Sequence, residues 1–176
     1  MCSSDLLDFT RRMEDNGAAM LTVHGRTRSM LYSGKADWDT IAQVKQQLTV
    51  PVIANGDVVD GESALRCLRR TGADGLMIGR ATFGDPWVFC QVKAAMEGRE
   101  VPERPPLANR VDVAVRQFEL ALEDKGEHIA CLEARKHFAW YLRGVAYANY
   151  YKEKISSIQT MEDIYRIADG IRRDLK

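Results

Sequence analysis

Apolar positions along the chain follow two rhythms, and the change between them comes near residue 99. Before it, helical stripes alternate with short apolar runs. Leu6, Phe9 and Met13 recur at i, i+3 and i+7, which predicts a first helix capped by Ser3 or Ser4 and ended by Gly17. Residues 19–24 then read as a buried strand. Asp37 is placed to cap a second helix with Ile41, Val44 and Leu48 on one face, and Pro51 opens the next strand. Asp60 caps a third helix, which carries Ala64, Leu65 and Leu68 to a stop at Gly72, and a strand over 75–78 follows. Asp85-Pro86 reads as an N-cap with proline at the first helical position, so a fourth helix with Val88, Val92 and Met96 is expected to run to Gly98.

After residue 99 the period is helical throughout. Glu100–Pro106 holds three of the five prolines and reads as a linker, giving expected segments of 1–98, 99–106 and 107–176. Val111, Val115, Phe118 and Leu122 form one stripe, and Ala134, Phe138, Leu142 and Val145 another. Thr160 to Asp163 resembles a capping box, with Asp in place of the usual Glu or Gln, ahead of Ile164, Ile167, Ile171 and Leu175. Three or more helices packed on one another are expected here.

Strict alternation of helix and strand means right-handed crossovers and a parallel sheet. Three strands alone leave open edges, whereas a closed eight-stranded barrel has none and gathers function at the carboxyl ends of its strands. The expected fold is therefore α/β: the last three or so strands of a partial (β/α)8 TIM barrel, followed by an all-helical domain. A small flavodoxin-like domain is the alternative. On the barrel reading the first βα units are absent, and the missing N-terminal half of the barrel is the expected partner.

Composition narrows the function classes. The 176 residues are 45% hydrophobic with zero formal net charge, and the balance is also local: 11 basic against 12 acidic residues over 1–98, and 14 against 13 beyond. Any RNA contact must come from a local patch and not from a global field. Cys2, Cys67, Cys90 and Cys131 are scattered without CxxC or paired Cys/His spacing, so free thiols are expected and no metal. No apolar run approaches ~20 residues and no signal pattern opens the chain, so no membrane association is expected and the cytoplasm is the default location.

Candidate chemistry sits where strands end. Gly79-Arg80 follows one strand and Asn55-Gly56-Asp57 another. Glycine lets a phosphate oxygen approach a backbone N–H, and arginine offers a forked donor to the same group. In (β/α)8 enzymes the loops after the last two strands often build such a phosphate site. Tight turns that need glycine are the structural alternative. His24-Gly25-Arg26-Thr27-Arg28 ends the first strand, and two arginines close behind a histidine favour an anionic or nucleotide ligand. Asp37 has a sufficient role as a cap, and Trp38 reads as core. In the helical segment Lys136, Trp140, Arg143 and Tyr147 share one face of a helical wheel, with Lys152 and Lys154 beyond Tyr150-Tyr151. Cations interleaved with flat aromatics suit RNA, through phosphate pairing and base stacking. An amphipathic helix whose aromatics pack on a neighbour explains the same residues.

HGRTR, YSG-x-ADW, PVIANGD, DG-x-MIGR and RKH-x-x-WYL-x-G, in that order, resemble the tRNA-dihydrouridine synthases, from about Gly17 to Gly98 and again from about Glu133 to Gly144. Other FMN barrels, dihydroorotate dehydrogenases among them, share the Asn-Gly and Gly-Arg elements but not the helical tail. The resemblance implies FMN across the barrel mouth, with His24, Asn55, Gly56, Asp57, Gly79 and Arg80 as cofactor-binding residues. It also implies NADPH as reductant and uridine in tRNA as substrate, reduced to 5,6-dihydrouridine after leaving the tRNA interior. Arg26, Arg28, Lys136, Trp140 and Arg143 are the expected tRNA contacts. The family's catalytic cysteine loop, glycine-rich first flavin contact and flavin-facing lysine have no counterpart here. No catalytic residue is assigned, and the chain by itself is expected not to turn over. The rival readings are a different FMN-dependent barrel oxidoreductase acting on a small molecule, and a non-catalytic tRNA-binding fragment.

Overall fold

The computed structural model describes residues 3–175, which fold as two compact units. The first comprises residues up to Thr82 together with Trp87–Pro102, and the second comprises Phe83–Pro86 together with residues from Glu103 onward.

In the first unit, α1 (Ser3–Asp15), β1 (Leu21–His24), α2 (Trp38–Gln47), β2 (Val52–Asn55), α3 (Gly61–Thr71), β3 (Gly75–Met77) and α4 (Val88–Met96) follow in strict alternation. The strands form one parallel sheet in the order β1-β2-β3, with Leu21 opposite Val52 and Ile53 opposite Gly75. Leu21, Val23, Val52 and Ala54 are buried with Ile41, Val44, Leu48, Ala64, Cys67, Val88 and Val92 in one core. Alternate residues take the other face, where Thr22 and His24 are exposed and Ile53 and Asn55 half-buried. A doubly wound sheet needs a reversal of strand order and helices on both faces. Among the described residues neither occurs, so the flavodoxin-like alternative falls and a one-directional β/α wall remains.

The capping logic holds at three helices. The Asp37 carboxylate accepts from the N–H groups of Asp39 and Thr40. Asp60 and Ser63 form a reciprocal box, and α3 ends on Gly72 in the left-handed region. Thr160 and Asp163 form a second box. Other expectations need correction. Phe9 and Met13 are exposed, because α1 packs through Leu6 and Leu7 and buries Thr10, whose hydroxyl accepts from the Gln47 amide. Helical period alone does not say which stripe meets a partner. The Ser3/Ser4 cap falls on side chains outside the described residues. Asp85-Pro86 does not start α4, which begins at Val88 behind Trp87 without a side-chain cap. Asp85 pairs instead with Arg104, 3.3 Å away in the second unit.

The second unit packs α5 (Leu107–Lys125), α6 (Glu127–Tyr141), α7 (Asn149–Ser156) and α8 (Met161–Asp174) around Phe118, Phe138, Leu142, Ile155, Ile158, Ile164 and Ile171. Gly126 is the single residue between α5 and α6, at φ 79°. Gly170 lets the Tyr151 ring lie against α8, since a Cβ there would meet the hydroxyl at 2.7 Å. The expected 1–98 segment keeps residues 83–86 with their flanking strand and helix. They go instead with the helical unit, because Phe83 stacks on Trp140 and a Cβ on Gly84 would lie 2.3 Å from the Trp140 carbonyl carbon.

Candidate functional site

The carboxyl ends of the three strands are tied together by polar groups. The Gly25 N–H and the His24 ring both donate to the Asn55 carbonyl, at 3.0 and 3.1 Å. A carbonyl only accepts, so the His24 proton sits on Nδ1 and Nε2 keeps its lone pair in the neutral ring. The Asn55 amide donates to the Met77 carbonyl at 2.8 Å, crossing to β3. Asn55 and the Gly79 turn therefore share one rim. Gly56, at φ 131°, is required by the protein itself, because a Cβ would meet that of Ala36 at 2.6 Å. Its carbonyl accepts from the indole of half-buried Trp38.

Four charged or aromatic side chains complete this rim. Arg26 is nearly buried, with 3% of its side chain exposed, and one nitrogen lies 2.7 Å from both Asp57 oxygens. The same guanidinium donates to the carbonyls of Ser33 and Gly34, while its Nη1 has no partner among the described residues. Asp57 sits in the left-handed region, at φ 57°, and also accepts from the Ala36 N–H at 2.6 Å. Burial pushes the Asp57 carboxyl up, but the Ala36 N–H, Arg26 and Arg80 together outweigh burial and hold it below the usual carboxylate range. Arg80 lies 3.5 Å from Asp57 with its guanidinium carbon 4.5 Å from the centre of the Tyr32 ring, and about half of its side chain is exposed. Gly79 needs no glycine for its own sake: a Cβ would meet nothing within 4 Å, and φ is not positive.

These positions divide the expected residues. His24, Asn55, Gly56, Asp57, Gly79 and Arg80 are together at one end of the sheet. Arg26 belongs with them and is not an outward RNA contact, because its charge is already spent on Asp57 and two carbonyls. Arg28 is exposed on a 3₁₀ turn, Arg28–Met30. Tyr32 belongs to the YSG-x-ADW loop that the sequence singles out, but nothing local ties it to Arg80, 48 residues later.

In the helical unit the expected face breaks up. α6 ends at Tyr141, so Arg143 and Tyr147 leave the helical wheel, and Tyr147 takes a positive φ of 58°. Trp140 is not an open stacking platform: Phe83 lies parallel at 4.2 Å, His137 meets it edge-on at 4.8 Å, and Lys136 sits 5.4 Å from the ring centre. Burial lowers the His137 pKa. A different surface carries the cations. Arg104, Arg116, Lys125, Arg166, Arg172 and Arg173 all pair with carboxylates. Among the described residues of this unit, the exposed cations without a carboxylate partner are Lys136, Arg143, Lys152 and Lys154, all within 136–154. They alternate with Tyr147, 92% exposed, and Tyr150, 60% exposed, the latter lying under Lys154.

The described cysteines are free: Cys67 and Cys131 are buried, which pushes both thiols up, and exposed Cys90 donates to the Trp87 carbonyl. Cys2 lies outside the described residues. Among the described residues no cluster suits a metal ion, and no helix is long and apolar enough to cross a membrane.

A family model described as dihydrouridine synthase (Dus) matches residues 2–173. A protein of Synechocystis named probable tRNA-dihydrouridine synthase 1 is 38% identical over 159 residues, covering 90% of this chain and 44% of its own length. Proteins named probable tRNA-dihydrouridine synthase from Rhizobium leguminosarum bv. phaseoli and Mycobacterium tuberculosis (strain H37Rv) are 42% and 37% identical, covering 92% and 94% of this chain. They are matched over 48% and 43% of their own lengths, so the chain spans less than half of these relatives.

Proposed function

Because the chain belongs to the dihydrouridine synthase family, we propose that its strand-end rim is the phosphate end of an FMN site and its helical unit a tRNA-contacting surface. The whole enzyme would then be a tRNA-dihydrouridine synthase. The observation that carries this reading is the Gly79-Arg80 turn. It offers an unhindered backbone and a half-exposed guanidinium at a rim where Arg26 already neutralises Asp57, leaving Arg80 as the surplus charge. That arrangement fits a phosphate monoester dianion. Asp57 does not touch the phosphate on this reading; it anchors the arginines. His24, whose proton is committed to Asn55, presents Nε2 as an acceptor to a flavin ring.

Bound at this rim, FMN supplies hydride-transfer chemistry toward a uracil ring, with NADPH as its reductant. This chain's own part is to fix the cofactor's anionic end and to hold RNA. Cys67, Cys90 and Cys131 are not assigned as proton donors, two being buried and the third turned to a backbone carbonyl. For RNA, the strip Arg143–Lys154 replaces the Trp140 face, with Lys136 and Arg28 as further exposed cations. Unpaired cations beside exposed tyrosines favour phosphate contact with base stacking.

Replacing Arg80 with Ala tests the cofactor half. Loss of a charge-assisted contact of about 1.5–3 kcal/mol weakens FMN binding by ~10- to 100-fold, measured by flavin fluorescence. Unchanged affinity overturns the assignment.

A further inference from the structure

We propose that Tyr32 is a positioning residue: its ring, together with Asp57, holds the Arg80 guanidinium in the orientation that receives a phosphate. The proposal rests on the FMN reading of the Gly79-Arg80 turn and goes beyond it by assigning a role to a residue on a different loop.

An arginine with 47% of its side chain exposed, on a three-residue 3₁₀ turn, samples many rotamers unless neighbours restrict it. Two neighbours do so here. Asp57 approaches one guanidinium nitrogen at 3.5 Å, and the Tyr32 ring lies 4.5 Å from the guanidinium carbon. Cation–π attraction draws a flat cation over an aromatic face, leaving edge N–H groups free for oxygen ligands. Both restraining groups are themselves set by one side chain. Buried Arg26 grips the Asp57 carboxylate and also donates to the carbonyls of Ser33 and Gly34, the two residues after Tyr32. A single guanidinium thus fixes the carboxylate and the loop that flank the outer arginine. Tyr32 is 70% exposed, so its ring contributes little to the core, and a purely packing role does not account for where it lies. Met30 and Leu31 beside it are partly or well exposed too, so the loop is not held there by burial.

The test uses the full 176-residue chain as wild type, Tyr32→Leu and Tyr32→Phe, titrated with FMN and with riboflavin, which lacks the phosphate. The expected result is an FMN affinity lowered about fivefold in Tyr32→Leu, unchanged riboflavin affinity, and wild-type behaviour in Tyr32→Phe. Equal loss for both flavins, or no loss for FMN, overturns the proposal. A second measurement does not need flavin: the side-chain proton resonances of Arg80 should carry a ring-current shift that Tyr32→Phe keeps and Tyr32→Leu abolishes. Absence of that shift in the wild type also overturns it. Should the wild type take up no flavin at all, the FMN reading fails by itself. Titration with inorganic phosphate, followed on the Arg80 resonances, then decides the positioning claim, weaker phosphate binding in Tyr32→Leu supporting it and equal binding refuting it.

Discussion

Arg26 carries a full charge almost out of reach of water, and Asp57 makes that tolerable. Replacing Asp57 with Asn removes the opposing charge and leaves the guanidinium with neutral oxygen acceptors only, and breaking a buried pair in this way costs about 3 kcal/mol. The urea midpoint of the first unit should fall accordingly. The pH dependence has a definite sign. The Asp57 carboxyl is held below its ordinary range in the folded chain, so its contribution is complete above the unfolded value of about 4. It is lost only as pH falls through the lowered native value. An acid titration followed by circular dichroism should show that loss in the wild type and not in Asp57→Asn. The HGRTR motif points to an anion site; on the proposed FMN reading the arginine that faces it is Arg80, while the motif's first arginine is the buried support. Residue type and spacing do not reveal burial, which is why Arg26 reads as a contact, and they do not reveal that Tyr32 of the YSG-x-ADW loop meets Arg80.

Helices and strands were largely legible because their signals are local. Period and the caps at Asp37, Asp60 and Thr160 placed α2, α3 and α8, with Gly72 ending α3, and the burial of Leu21, Val23, Val52 and Ala54 at alternate positions reflects a sheet packed against helices on one face. What failed was non-local. Asp85-Pro86 has the composition of a helix start, but the carboxylate is taken by Arg104 from within the proline-rich linker. The aromatic face of α6 is consumed by Phe83, 57 residues before Trp140. Gly84→Ala tests how tightly this element is seated. With φ at 69° and the Trp140 and Tyr141 backbone under 3 Å from the new Cβ, either the 83–86 segment or α6 must shift. Destabilisation of about 2–4 kcal/mol is expected, seen as a lowered melting temperature with the tryptophan near-ultraviolet signal reduced. Gly79→Ala, by contrast, meets nothing and should leave the melt unchanged while weakening FMN binding.

At the scale of the whole chain, the β1 and β3 edges have no further strand among the described residues, and exposed backbone donors and acceptors invite pairing with another copy. Light scattering should show concentration-dependent association of the 176-residue chain. A monodisperse monomer at high concentration would remove the open-edge view. Changing Lys152 and Lys154 to Glu should weaken tRNA binding and flatten its salt dependence, while Trp140→Phe should leave both unaltered. Charge totals alone do not disclose this strip, because the unit is nearly neutral and the unpaired cations show only after each carboxylate has found its partner. The short excursion of Phe83–Pro86 has a practical corollary. The polypeptide passes from one unit to the other three times, at Thr82, Pro86 and Pro102, so severing it at the proline-rich linker does not yield two self-sufficient halves. The excised bundle would expose a bare Trp140, and a peptide spanning Phe83–Pro86 supplied in trans would be the piece that restores it.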